Sequence, residues 1–162
     1  MDETAFDLFY RSTARPLWAY IRRVSGDATL TDDILQETYY KFLRASRAGM
    51  NEAEMKSYLY KIATNLLNDY WRNQKRERQR MLDANNETRA TDAIQCRDMA
   101  EAFERLNPQQ RSLLWLAYVD GNEHREIAQI LGLREKSVRV LLFRARQKLA
   151  GLLKQTDISL KK

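Results

Sequence analysis

A single cysteine, two prolines and five glycines in 162 residues exclude several kinds of protein at once. One thiol, Cys96, cannot form an internal disulfide, so a disulfide-framed secreted scaffold is out and a reducing, cytoplasmic setting fits. Cys96 and the one histidine, His124, have no companions at metal-ligand spacing, so ordinary roles are expected of both. No apolar run approaches the ~18 residues of a membrane span. The opening MDETAFDLFYR lacks the basic-then-apolar layout of a secretory signal. No His pair, carboxylate cluster or phosphate-cradling loop is present, so neither enzyme chemistry nor a cofactor is expected. Asp32 and Asp33 have the look of an acid–base dyad, but adjacent helical residues diverge by ~100°. Few Gly and Pro also leave few turns. With 44% hydrophobic residues, the chain is expected to be globular and all-α.

What is abundant is positive charge, unevenly placed. The formal net charge is +6. Residues 1–56 carry a net −1, residues 57–80 a net +4, residues 81–106 a net −3 and residues 107–162 a net +6. Two basic surfaces flank an acidic connector, a layout suited to gripping nucleic acid at two places.

The second basic surface has a recognisable order. In NEHREIAQILGLREKSVRVLLFRARQKL, residues 122–149, a short apolar-faced helix meets a glycine turn and then a cation-rich helix. Gly132 can take the left-handed turn at little steric cost, with Leu133 plugging the corner. Val138, Leu141, Leu142, Ala145 and Leu149 recur at helical spacing. Arg134, Lys136, Arg139, Arg144, Arg146 and Lys148 crowd the remaining surface. This is a helix-turn-helix, whose second helix enters the DNA major groove. A basic helical hairpin with no DNA role is the plainer alternative. Two helices, 98–106 and 108–119, are expected before it, Pro108 suiting a first helical turn.

The N-terminal half predicts three helices. The first spans Thr4 to about Val24, with Pro16 able to break or kink it. The second runs to about Ala45, capped by Thr29 or Thr31, with Asp32 and Asp33 in its first turn. Its inward residues are expected to be Leu35, Tyr39, Phe42 and Leu43, with Asp33, Gln36, Glu37, Tyr40 and Arg44 on the other side. After a polar loop at 46–53, a long helix starts at Ser57 with a core stripe of Leu59, Ile62, Ala63, Leu66 and Tyr70. Opposite lie Lys61, Asn65, Asn68, Arg72, Lys75, Arg76 and Gln79. Cations gathered at one end suit phosphates, and the amides suit the edge of an unpaired base. Residues 82–95, with weak periodicity and an Asn-Asn turn signal, read as a flexible linker.

In this order, DDILQETYYKFLR (32–44), SYLYKIATNLLNDYWRNQKRER (57–78) and FERLNPQQRSLLWLAYVDGNEHREIAQILGLREKSVRVLLFRARQKL (103–149) resemble the bacterial sigma factors of the sigma-70 family, extracytoplasmic-function type. The resemblance implies two small helical domains, 1–80 and 98–156, joined by a linker at 81–97. It implies that Asp33, Gln36 and Glu37 bind the clamp of core RNA polymerase, with the polymerase β flap as a second attachment. Lys61, Asn65, Arg72 and Arg76 would hold the −10 element as single strand, with Ala48–Glu54 as a selectivity loop. Arg134, Lys136, Ser137, Arg139 and Arg144 would read the −35 element as duplex. Partners would be core polymerase, promoter DNA and, as in many members, an anti-sigma factor, with no membrane contact of the chain's own. One departure stands out: Val140-Leu141 occupies a place where members commonly carry a polar pair. The apolar pair fits ordinary packing, contact with thymine methyls, a different way of binding the DNA site, or docking on protein. The competing function is a stand-alone helix-turn-helix regulator.

Overall fold

The computed structural model describes residues 1–45, 48–85 and 98–160, with backbone alone at 83–85 and 154–160. Among them there is no β-strand, and these residues form seven α-helices and one π-helical turn. Residues 86–97 of the expected linker, Cys96 among them, and residues 46–47 of the polar loop lie outside the described residues.

Helix α1 is Glu3–Ser25. Asp2 caps it by accepting the Ala5 N–H at 2.7 Å, and left-handed Gly26 closes it. The helix runs through Pro16 without ending. Helix α2 is Ala28–Arg44, and its cap is Asp27, not Thr29 or Thr31. The Asp27 carboxylate accepts from Thr29 N–H at 2.9 Å and from Leu30 N–H at 3.2 Å. Thr31 instead is buried, its hydroxyl donating to the Asp27 carbonyl at 2.8 Å. The helix therefore begins earlier than expected, and no acid stands in its first turn.

Helix α3 is Glu52–Asn85, longer than expected at both ends. At its start Asn51 and Glu54 exchange reciprocal bonds, Glu54 N–H to Asn51 Oδ1 at 2.8 Å and Asn51 N–H to Glu54 Oε2 at 3.0 Å. That is a capping box, and it turns the second half of the expected Ala48–Glu54 loop into helix. At the other end α3 passes the boundary expected at 80, because Met81, Leu82 and Ala84 are good helix formers.

The C-terminal half holds α4 (Met99–Glu104), α5 (Pro108–Leu114), a π turn (Trp115–Val119), α6 (His124–Leu131) and α7 (Glu135–Leu160). An Asn107–Gln110 capping box and Pro108 open α5. Gly132, left-handed at φ 66°, closes α6, and the Leu133 N–H returns to the Ala128 carbonyl at 2.9 Å. The helix-turn-helix is thus α6–α7.

The two halves pack on each other. Helix α3 lies against α1 and α2 and also against α6, while α1 meets α5, and the buried side chains form one continuous cluster. At 3.6 residues per turn, Leu59, Ile62, Ala63, Leu66 and Tyr70 share one side of α3, and Tyr60, Thr64, Leu67 and Trp71 the adjacent side, about 100° round. Leu59, Ile62 and Ala63 are buried as expected, but so are Tyr60, Thr64 and Leu67. The sequence stripe captured only one of the two covered sides.

Candidate nucleic-acid interface

The third side of α3 stays free. Lys61, Asn65, Arg72 and Arg76 fall along one line and are all exposed, as is Asn68. Arg72 makes only a loose 3.8 Å pair with Asp69, both sides well exposed. Such pairs contribute little, so the guanidinium is available to a phosphate. Lys75, Arg76, Arg78 and Arg80, all exposed, extend the positive charge toward the helix end.

What holds α3 against the C-terminal half is partly polar. The Arg111 guanidinium donates to the Leu106 carbonyl at 3.0 Å and to the Val24 carbonyl, at the end of α1, at 2.7 Å. Its carbon lies 5.9 Å from the Trp71 ring centre, a cation–π distance. Burial lowers its pKa, with the Glu104 carboxylate opposing. A second contact sits deeper. Tyr20 and Tyr60 are fully buried with ring centres 5.3 Å apart. The Tyr20 hydroxyl bonds Thr64 Oγ1 at 2.8 Å, and burial pushes its pKa up to about 12. The Asp120 carboxyl faces Tyr60, and neither Tyr60 Oη nor Asp120 Oδ2 reaches a partner at hydrogen-bond geometry. Burial raises the pKa of Asp120, with the Lys56 ammonium and the Tyr60 hydroxyl opposing. The π turn positions this residue: Asp120 N–H bonds Trp115 O at 3.0 Å, a five-residue return. Arg111, Asp120 and Tyr60 were not legible as junction residues, since nothing local in the sequence marks a contact between halves.

On α2, Asp33, Gln36 and Glu37 are exposed and share one side. Asp32 points elsewhere and accepts from the Trp18 indole at 3.1 Å. Tyr40 and Leu43, 53% and 47% exposed, extend the α2 surface with apolar area. Leu43 was expected inside; Ile34, Thr31 and Thr38 take the inward positions instead.

On the helix-turn-helix, Arg134, Lys136, Arg139 and Arg144 are exposed and Ser137 is half-buried. Arg134, Lys136, Arg139, His124 and the acidic Glu135 line one open groove at the head of α7. Val138, Leu142 and Ala145 are buried and seat the helix. Val140 and Leu141 part company: Leu141 packs against the core, while Val140 is 49% exposed. Arg146 donates to the Tyr118 hydroxyl, so this cation is tied to the π turn. No cluster of three metal-ligating side chains occurs among the described residues, and no helix there is long and apolar enough to cross a membrane.

Comparison with known proteins agrees with this layout. Residues 9–77 match Sigma-70 region 2 and residues 96–149 match Sigma-70, region 4. The ECF RNA polymerase sigma factor BldN of Streptomyces coelicolor is 29% identical over 92% of the chain, which spans 60% of BldN's length. The ECF RNA polymerase sigma factor SigX of Bacillus subtilis is 27% identical over 86% of the chain and 78% of its own. Among solved structures, the sigma factor RpoE of Bartonella quintana, in complex with the anti-sigma factor NepR, has the same fold. Its TM-score is 0.67 at 22% identity, covering 93% of this chain and 97% of that one. With both regions present, in order and on the helices just described, the chain belongs to the sigma-70 family, among sigma factors of the extracytoplasmic-function type.

Proposed function

We propose that this chain is a promoter-specificity subunit that binds core RNA polymerase and helps it open DNA, with no catalysis of its own. The exposed line of Lys61, Asn65, Arg72 and Arg76 on α3 carries the reading. A regulator that grips only closed duplex has no use for a second, amide-and-cation surface on a helix outside its helix-turn-helix. The stand-alone regulator is therefore not favoured.

Each surface takes one task. Asp33, Gln36 and Glu37 on α2 meet the β′ clamp of polymerase, their charge setting encounter rate and orientation while Tyr40 and Leu43 add apolar contact. The α3 line holds the −10 element as single strand, cations on phosphates and Asn65 on a base edge. Arg134, Lys136, Ser137, Arg139 and Arg144 hold the −35 element as duplex. The C-terminal module also meets the β flap. The working units are 1–80 and 98–156 with 81–97 between them, in the cytoplasm. An anti-sigma factor is a further partner, RpoE being in complex with one, NepR; on this chain it would inhibit by covering these faces.

Run-off transcription with core polymerase and genomic fragments tests this. Transcripts starting downstream of one shared two-part motif are expected, and Glu37→Lys is expected to abolish both transcription and co-purification with core while the helical spectrum is kept. Transcription no greater than core alone removes the proposal.

A further inference from the structure

Phosphate contacts do not account for one side of α7. Val138, Leu142 and Ala145 fix which side faces the core. At 3.6 residues per turn the opposite side carries Lys136, Val140, Phe143 and Gln147. Of these, Val140 and Phe143 are apolar yet 49% and 51% exposed. Both are mediocre helix formers, one β-branched and one aromatic, at sites where a polar residue would suit helix and solvent better. Local rules broken on an outward face point to an occupant.

Charge says what that occupant is. Lys136, Arg139 and Arg144 are exposed around the apolar pair. An apolar strip edged by cations complements a groove with phosphates on its rims and an apolar group on its floor. In duplex DNA only thymine offers such a group, its C5-methyl in the major groove. We infer that Val140, with Phe143 one turn on, is a specificity-determining contact that selects thymine by burying its methyl group. The inference rests on α7 being the duplex-reading helix, and it goes further by naming the base and the chemical group. Leu141 takes no part, because it packs inward. Val140 offers no hydrogen bond, so its discrimination comes from desolvating one methyl, roughly a fourfold change in affinity.

The test removes that methyl and nothing else. Duplexes are selected from a randomised pool by the full chain assembled with core polymerase. Each thymidine of the selected upstream element is then replaced singly by deoxyuridine. At one position or two adjacent ones, deoxyuridine is expected to weaken wild-type binding about fourfold. Val140→Ala, which keeps a good helix former, is expected to bind the thymidine and deoxyuridine duplexes equally. Indifference of the wild type to every replacement overturns the inference while leaving the duplex role intact, as does a Val140→Ala variant that keeps the full ratio. A variant whose DNA binding is unchanged but whose hold on polymerase falls also overturns it, assigning the strip to protein. Failure to select any duplex removes the proposed function itself.

Discussion

The two cationic helices of this chain are held in opposite ways. Helix α3 is braced on two adjacent sides, by α1 and α2 of its own half and by the C-terminal half through Arg111, Trp71, Tyr60 and Asp120. Among its described side chains helix α7 is seated by one side only, through Val138, Leu142 and Ala145 with Leu141, Leu149 and Leu152 beside them, while Val140 and Phe143 stand exposed on the outward side. The difference fits the two forms of nucleic acid proposed for them. A major groove about 12 Å wide admits a whole helix, so the helix must project. An unpaired strand has to be laid along a surface, and that surface is more useful when its helix cannot roll.

Loosening or tightening each support separates the two cases. The largest effect is expected from Arg111→Ala, which leaves the Val24 and Leu106 carbonyls without their charged donor. A loss of about 2 kcal/mol is expected, seen as a lower urea midpoint. Binding through α7 should hardly change, and equal damage to both helices would break the comparison. Next comes Gly132→Ala, at a left-handed turn with open space around the added carbon. The cost is purely conformational, about 1 kcal/mol, and should weaken duplex binding more than single-strand binding. Smallest is Asp120→Asn. Burial raises this carboxyl's folded-state pKa above its ordinary value of 3.8. Its contribution is therefore fully present below pH 3.8 and is lost as pH rises through the raised value. The asparagine variant removes that loss. Its stability relative to wild type is expected to grow across this window and then level off, followed by urea denaturation at stepped pH.

The sequence was most legible where periodicity and capping act locally. The helix-turn-helix at 122–149 reappears as α6–α7, because Gly132 and the Ile127, Ala128, Ile130 face are local signals. The exposed line of α3 was legible for the same reason. Contacts between distant segments were not. Tyr60 and Thr64 lie on a second side of α3, covered by Tyr20 of α1 and, at Tyr60, by Asp120 of the C-terminal half, so one stripe does not reveal them. Asp27 as the α2 cap and the Asn51–Glu54 box set earlier starts than the expected ones, and both signals stand in the sequence. Leu43, expected inward beside Leu35, Tyr39 and Phe42, lies at the exposed edge of α2, and Ile34 with Thr31 and Thr38 fills the interior instead.

Binding of short oligonucleotides by the chain–polymerase complex tests the account most directly. A single-stranded upstream oligonucleotide and a closed duplex carrying the other element are titrated against wild type, Asn65→Ala/Arg72→Ala and Arg139→Ala. The account predicts that the α3 variant loses the single strand and keeps the duplex, and that the α7 variant does the reverse. Equal loss of both ligands in both variants, or an α3 variant that holds single strand as the wild type does, would contradict it.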